Sequence, residues 1–302
     1  MGEIRLYHPI HTLDNKELLP EGSVFSIEEV DTVISPKRGK SPPAADLFFH
    51  HKEVHDDMEM LLKIPPYDSV FRPPEVEYCF SFMNDLRLAV PVLQTIDYFK
   101  ENDFYTYRHL LVVFALTTLL VEDLIEDKEE RDKVLTSGPS HDIGKICVPL
   151  SILKKKEPLT SSEYAILKQH SIAGYTLLCY YLRDPEHYTA GVALNHHERR
   201  DGSGYPQGKN SIDIVTEIIA VCDVYDALVA DRPYRKLPFT NRAALEEITE
   251  MGLKGRLGMD VVKALIARNR SNRPHYKDVV VSTERRGGRP ENNFYGVIRD
   301  GD

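Results

Sequence analysis

Two adjacent pairs of residues in the second half of the chain are of the types that bind catalytic metals. His141 is followed by Asp142 in the string SHDIGKI, and His196 is followed by His197 in LNHHERRDGSGYP. Neutral imidazoles and carboxylates bind Mn, Fe, Co, Ni or Zn, and mixed nitrogen and oxygen sites with open positions are typical of hydrolytic centres. One such pair is weak evidence, but the chain offers three further candidates of the same types, namely His109, His170 and Asp223.

The two carboxylates among these candidates, Asp142 and Asp223, are better explained as metal ligands than as ordinary core residues. Asp223 lies between apolar residues in AVCDVYDAL, where an unpaired carboxylate is unfavourable and a cation would stabilise it. A carboxylate can bridge two cations whereas an imidazole usually binds one, so Asp142 is the natural bridge and His141 faces one metal. Two metals about 3.5–4 Å apart acidify a shared water and clamp a phosphate during in-line attack. The residues therefore predict hydrolysis at a phosphate without a serine or cysteine nucleophile.

The elements that must position these residues are predicted to be mostly helices. Apolar residues recur at spacings of three and four from Phe80 to Phe99, with Pro91 as a kink. A second helix is predicted from about Phe104 into the acidic string VEDLIEDKEE, and another begins near Val215. Strand signals are sparse in this part of the chain, so it should be mainly α.

A capping box is predicted at the start of the helix that carries His170. Thr160 and Glu163 have the spacing at which each side chain satisfies a backbone N–H at the helix start. Glycines, prolines and polar residues then mark a long loop over residues 199–210, directly after the two adjacent histidines.

Residues 1–74 differ from the rest of the chain in their sequence pattern, with short β-leaning runs in place of long helical ones. The strings IRLYHPI and SVFSIEEV are short β-leaning runs, separated by the turn-prone DNKELLPEG. A helix is predicted from about Ala45 to Leu62, and four prolines then make a stiff connector: Pro65, Pro66, Pro73 and Pro74. We therefore predict a small N-terminal α/β module over 1–74, with a regulatory or interaction role, and a second domain over 75–302.

Composition and charge exclude several classes of protein. The 302 residues are 42% hydrophobic and 28% charged, as in a soluble globular protein. A net charge of −9 argues against nonspecific binding of DNA. No apolar run approaches the roughly 18 residues of a membrane helix, and the N-terminus does not resemble a signal peptide. The cysteines lie scattered among apolar residues without CxxC spacing, so the cytoplasm is the expected location.

The order of the candidate ligands resembles the HD superfamily of phosphohydrolases. The strings HDIGK (141–145), HHERRDGSGYP (196–206) and DVYDALVADRPYR (223–235) resemble its HD-GYP branch, over about residues 103–250. HD-GYP domains are cyclic di-GMP phosphodiesterases, so the resemblance implies an HD-type helical bundle that opens cyclic di-GMP to pGpG, and it leaves open whether pGpG is cleaved on to GMP. The alternatives are an HD phosphohydrolase acting on another nucleotide, and a weakly catalytic receptor that binds cyclic di-GMP.

The resemblance also implies roles for individual residues. One of two divalent ions would be held by His109, His141, Asp142 and Asp223, and the other by Asp142, His170, His196 and His197. Fe or Mn is expected, with Ni, Co or Zn as alternatives. Asp142 and Lys145 are the catalytic candidates, and the substrate phosphates would be neutralised by Lys145, Arg232 and Arg235. Arginine suits this role because its planar guanidinium bonds phosphate oxygens bidentately. Surface ion pairs are the alternative explanation for these three cations.

The loop Gly204-Tyr205-Pro206 has two interpretations. In the family this loop has been linked to diguanylate cyclase (GGDEF) domains, and an aromatic residue on a rigid turn suits partner binding. The other interpretation is structural support for His196 and His197.

The chain departs from the family pattern near its first histidine. The family often has HxxRV there, whereas this chain has His109-Leu-Leu-Val112-Val113. Some members hold a third metal with a glutamate four residues before that histidine, but here the position is Tyr105. A tyrosine with a pKa near 10 stays protonated at neutral pH and is a poor ligand. We therefore expect two metals per chain.

Overall fold

The protein is mainly α, as the sequence predicts. A computed structural model describes residues 4–34, 43–47, 52–84, 86–231, 237–288, 290 and 298–299. Arg232 and Arg235, the two predicted phosphate-binding arginines, lie outside these residues.

The central element is the helix Phe104–Leu124, which carries His109. Every residue from Thr106 to Val121 is buried. A helix that is apolar around its whole circumference must be enclosed by other elements. Its length and composition would also suit a membrane span, but 89% of its most apolar window is buried inside the protein, as in a core helix.

Other helices of the bundle surround this central helix. The helices that pack against it include Val90–Asn102, Lys128–Ser137, Ile214–Val229 and Met259–Asn269. A second layer continues the bundle with Ser161–Lys168, His170–Leu182, Tyr188–Asn195 and Asn241–Leu253, and the short helix Leu150–Leu153 precedes it. Within the described residues, 3-10 turns lie at Tyr67–Ser69, Gly138–Ser140, Ile143–Cys147 and Tyr276–Asp278.

The predicted single helix through Pro91 is wrong. One helix, Pro73–Met83, ends before the strand Arg87–Ala89, and a second, Val90–Asn102, follows. Pro91 lies in the first turn of this second helix, where its missing N–H leaves no hydrogen bond unmade. The strand between the helices pairs antiparallel with Ala44–Asp46. The start of the helix predicted from about Ala45 is therefore a strand.

The capping box is confirmed, but it does not open the helix that carries His170. The Thr160 hydroxyl accepts from the backbone N–H of Glu163, whose carboxylate accepts from the backbone N–H of Thr160. The helix that they cap, Ser161–Lys168, ends before His170, which begins the helix His170–Leu182.

The N-terminal segment has less strand than predicted. Ile10–His11 pairs with Glu17–Leu19, which falls in the string read as a turn, and a single bridge joins Arg5 to Val24. The last four residues of the second β-leaning run, residues 27–30, belong to the helix Ile27–Ile34. A further helix, Lys52–Leu62, closes the segment before the proline pairs.

The described residues of the N-terminal segment share one hydrophobic core with the helical bundle. A side-chain amide also joins the two parts. The backbone N–H groups of Tyr7 and His8 donate to Gln169 Oε1 at 2.7 and 3.2 Å, and Gln169 Nε2 donates to the carbonyl oxygen of His8. The boundary at residue 74 remains a prediction.

Candidate metal centre

The structure brings all seven predicted metal ligands to one place. His109 comes from the central helix, and Asp223 from the middle of Ile214–Val229. His141 and Asp142 occupy the turn between two 3-10 segments. The remaining three lie at helix ends: His170 at the start of its helix, and His196 and His197 directly after Tyr188–Asn195.

The two oxygens of Asp142 face different neighbours. Oδ2 lies 3.3 Å from His109 Nε2 and 3.5 Å from His141 Nε2. Oδ1 lies 3.2 Å from His170 Nε2 and 3.8 Å from His196 Nε2. This carboxylate therefore has the position that a bridge between two ions requires.

Further contacts extend the set of ligands on each side of Asp142, and the two sides also meet where His197 Nδ1 lies 3.8 Å from Asp223 Oδ2. Asp223 Oδ1 lies 3.2 Å from His109 Nε2, and His197 Nε2 lies 3.0 Å from His170 Nε2. We call the first set the His109 group, which comprises His109, His141, Asp223 and Asp142 Oδ2. The second set is the His170 group, which comprises His170, His196, His197 and Asp142 Oδ1.

The spacing of these atoms fits ligands better than hydrogen-bond partners. Atoms bound at about 2.0–2.2 Å to one ion lie roughly 2.8–3.6 Å from one another, and most of the contacts above fall in that range. Three buried atoms have such neighbours but no hydrogen bond of acceptable geometry: His109 Nε2, His141 Nε2 and Asp142 Oδ1. Buried polar atoms without partners are rare, and a cation in each group would satisfy them.

Four histidines have the tautomer that metal binding needs. Nδ1 of His141, His170 and His196 lies 2.7–2.8 Å from the backbone carbonyl three residues earlier. Nδ1 of His109 lies 2.7 Å from Asp226 Oδ2. Because an oxygen of either kind only accepts, each Nδ1 must donate, and the lone pair of the neutral ring remains on Nε2. Metal-binding histidines are usually oriented in this way.

The pKa values of most residues in the cluster favour the forms that bind metal, namely an ionised carboxylate and neutral imidazoles. Burial raises the pKa of the Asp142 carboxyl, but the Lys145 ammonium and nearby imidazoles outweigh it and hold that pKa well below its usual value. Burial lowers the pKa of His141 and of His170, that of His196 to about 3, and that of His197 well below its usual value. These imidazoles are therefore neutral, as ligands must be.

His109 is the exception among the histidines. Burial opposes its charged form, but the carboxylates of Asp142, Asp223 and Asp226 outweigh burial and raise the pKa of His109 to about 10. In the absence of a cation this imidazole carries a second proton, on Nε2, and is charged. A divalent ion bound at Nε2 would replace that proton.

Sequence reasoning missed Asp226, which orients His109. Its side chain is fully buried, and Arg108 and Tyr67 donate to its Oδ1 while His109 donates to Oδ2. The signal was present in the string AVCDVYDAL, because the apolar residues that mark Asp223 also surround Asp226. No pattern in the sequence indicates that Tyr67 contacts this helix.

Lys145 lies at the edge of the cluster. Its ammonium pairs with Asp142 Oδ2, and its side chain is 16% exposed. The position is compatible with contact to a phosphate next to the two groups of ligands.

The Gly204-Tyr205-Pro206 loop packs directly on the His170 group. The Tyr205 ring stacks on the His197 ring, with centroids 4.6 Å apart and planes at 26°, and the Tyr205 N–H donates to the His197 carbonyl. A Cβ on Gly204 would lie 2.5 Å from the His197 oxygen, so only glycine permits this approach. The buried Glu198 carboxylate accepts from the backbone N–H groups of Gln207 and Lys209, directly after the loop. These contacts favour the interpretation of structural support, and the partner role remains a prediction.

We expect Tyr205→Ala to weaken binding of the ion of the His170 group by roughly tenfold, because His197 loses the ring that fixes its orientation. Tyr205→Phe keeps the stacked ring and should bind metal as the wild type does. Metal titration of both variants checks this. Equal affinities for the alanine and phenylalanine variants would show that the stacking does not support His197.

Comparison with known proteins gives a family. A sequence model described as HD domain matches residues 97–261, more than half of the chain. The chain is 42% identical over 142 residues to a cyclic di-GMP phosphodiesterase of Pseudomonas aeruginosa, covering 45% of this chain and 33% of that protein. It is 37% identical over 179 residues to a cyclic di-GMP phosphodiesterase of Thermotoga maritima, covering 58% and 48%.

A third relative differs in its printed substrate. The chain is 40% identical over 134 residues to a 3'3'-cGAMP-specific phosphodiesterase of Vibrio cholerae, covering 43% of this chain and 30% of that protein. The chain thus spans half or less of the length of these relatives. The family match includes all seven candidate ligands. The chain therefore belongs to the HD domain family, as its HD-GYP-like strings predicted.

Proposed function

We propose that this chain is a metal-dependent phosphodiesterase that opens cyclic di-GMP to pGpG. The observation that carries the proposal is the pair of ligand groups that meet at the two oxygens of Asp142. Nucleotide phosphodiesters are substrates for which such paired sites are suited, because both the attacking and the leaving oxygen need charge stabilisation. The relatives named as cyclic dinucleotide phosphodiesterases support the choice of substrate class.

The residues present fit two divalent ions, which would be held by the His109 group and the His170 group. When bound, such ions lower the pKa of a water and neutralise phosphate oxygens. The chain's own residues would orient the ligands through Nδ1–H donors, exclude bulk water by burial, and place the Lys145 ammonium beside the phosphate. Fe and Mn remain the expected ions.

A substrate panel tests the proposal. The wild-type protein, loaded with Mn²⁺ or Fe²⁺, should convert cyclic di-GMP to pGpG, with slower or no conversion of 3'3'-cGAMP and of linear pGpG. Faster hydrolysis of 3'3'-cGAMP would replace cyclic di-GMP with the second candidate, which the similarity to the Vibrio cholerae enzyme supports. Tight binding of cyclic di-GMP without turnover, in fully metal-loaded protein, would favour a receptor.

Lys145→Ala is expected to leave the metal content unchanged and to lower hydrolysis about a hundredfold, because a cation near the attacked phosphate is lost. Steady-state turnover and elemental analysis of the same sample measure the two effects. Lys155→Ala is the matched control, because Lys155 pairs with Glu163 rather than with a candidate ligand. An unchanged rate in the Lys145 variant would limit that residue to its ion pair with Asp142.

Two metals per chain are expected in the purified protein. Tyr105, the residue at the position where some family members have a glutamate ligand for a third metal, lies beside His109. The Tyr105 ring lies parallel to His109, with centroids 6.2 Å apart, and Tyr105 is half-buried. Elemental analysis of protein purified without oxygen measures the number. Three tightly held ions would contradict the expectation. With two ions only, cleavage of pGpG to GMP should be slower than ring opening.

Two further proposals concern the cell. We propose a cytoplasmic location, which suits a protein in which the long apolar helix Phe104–Leu124 lies inside the core. Diguanylate cyclase (GGDEF) domains are the proposed partners of the Gly204-Tyr205-Pro206 loop.

A further inference from the structure

A tyrosine from the N-terminal segment reaches the helices of the candidate metal centre. Tyr67 begins the 3-10 turn between the two proline pairs, and its side chain is 3% exposed. Its hydroxyl lies 2.5 Å from Asp226 Oδ1 and donates to it. The same hydroxyl accepts from Arg108 Nη2 at 2.7 Å. Both hydrogen-bonding functions of the hydroxyl are therefore used.

The contact continues to a candidate ligand through one carboxylate. Asp226 Oδ1 accepts hydrogen bonds from Tyr67 and Arg108, and Asp226 Oδ2 accepts one from the Nδ1–H of His109 at 2.7 Å. With two donors on one oxygen, the carboxylate plane is fixed, and so is the direction of the imidazole. His109 Nε2 then faces Asp142 and Asp223, at 3.3 and 3.2 Å.

We propose that Tyr67 is a positioning residue for the metal centre, acting through Asp226 on the ion of the His109 group. The inference rests on the metal-binding half of the proposed function. Tyr67 lies outside residues 97–261, which match the HD domain family. The N-terminal segment therefore supplies a part of the hydrogen-bond network behind a ligand, in addition to packing against the bundle.

The size of the effect follows from how such partners act. Residues that hydrogen-bond a ligand or its partner change metal affinity by about 10–100-fold when they are removed. In the Tyr67→Phe variant, Arg108 would still hold Asp226, so we place the effect at the lower end of that range. Only the ion of the His109 group should respond, because His170 and His196 bond backbone carbonyls rather than Asp226.

Titration of Co²⁺ into metal-depleted full-length protein, followed by visible absorption, is the test. Tyr67→Phe should lower the affinity for one of two ions about tenfold and leave the other unchanged. Asp226→Asn should weaken the same ion at least as much. Tyr107→Phe is the matched control, since it also removes a hydroxyl of a fully buried tyrosine from a carboxylate, that of Asp57 at 2.7 Å. Its Co²⁺ affinities should equal those of the wild type.

The outcomes separate this proposal from its alternatives. Equal affinities in Tyr67→Phe and the wild type would overturn it, and so would an equal loss in the Tyr107 variant, which would indicate general destabilisation. Absence of Co²⁺ binding by the wild type would overturn it together with the metal half of the proposed function. If the wild type binds two ions and hydrolyses no cyclic dinucleotide, the proposed reaction fails and the role of Tyr67 stands.

Discussion

Asp142→Asn is expected to lower cyclic dinucleotide hydrolysis by at least about a thousandfold, or ~4 kcal/mol of transition-state stabilisation. It should also remove more metal than any other single ligand change. Asp142 is the one residue that belongs to both ligand groups, and an amide supplies one weaker, uncharged oxygen in place of two charged ones. The variant would also remove the ion pair between the Asp142 carboxylate and the Lys145 ammonium. Elemental analysis and turnover of the same sample measure both effects.

The matched control for this change is Asp201→Asn. Asp201 lies on the loop after the adjacent histidines and is exposed, and its carboxylate accepts from Ser203 and Arg256 rather than facing an imidazole. Its metal content and turnover should stay within about twofold of the wild type, as expected for a surface pair. Wild-type metal stoichiometry in Asp142→Asn would refute the assignment of a bridge.

Gly144→Ala should destabilise the fold by about 3 kcal/mol or more and reduce metal binding with it. A Cβ at Gly144 would lie 1.9 Å from the carbonyl oxygen of His170 and 2.3 Å from the backbone nitrogen of Gly174. Both atoms are main chain, so no side chain can turn away to make room. The turn that carries Asp142 would have to separate from the helix that begins at His170, and the two ligand groups would move apart.

Thermal unfolding of the metal-depleted protein measures the loss of stability without the contribution of bound ions. For a protein of this size a loss of about 3 kcal/mol corresponds to a fall in Tm of roughly 5 °C. Gly191→Ala is the control, because a Cβ there meets nothing within 4 Å and the position lies inside the helix Tyr188–Asn195. Alanine should raise Tm slightly there. Similar Tm values for the two variants would disprove the tight backbone contact.

The set of candidate ligands was predictable, and its geometry was not. The family resemblance named all seven residues and assigned them to two ions, and the two oxygens of Asp142 face the same two sets. The role of each Nδ1 could not be predicted, because it depends on backbone carbonyls three residues earlier and, for His109, on a carboxylate from another helix. Such partners follow from the fold rather than from local spacing.

Local patterns failed where tertiary pairing decided the structure. Apolar periodicity continued across residues 87–89, but that segment pairs with Ala44–Asp46 as a strand, which a local helical pattern cannot reveal. Proline at the second position of the next helix marked a start rather than a kink. The role of Tyr67 could not be predicted either. Its proline-rich surroundings indicate a connector, and its hydroxyl bonds a carboxylate 159 residues later in the chain.

The Gln169 amide gives the N-terminal segment a second path to the candidate metal centre. The amide forms hydrogen bonds with the main chain of Tyr7 and His8. Gln169 itself directly precedes His170, a candidate ligand of the His170 group. Thermodynamic linkage is reciprocal. The factor by which the Gln169 hydrogen bonds to residues 7 and 8 raise ion affinity equals the factor by which a bound ion stabilises those hydrogen bonds. Loaded protein should therefore exchange the amide hydrogens of Tyr7 and His8 more slowly than metal-depleted protein. By the same linkage, breaking the hydrogen bonds between Gln169 and residues 7–8 would lower ion occupancy by the factor that those bonds contribute.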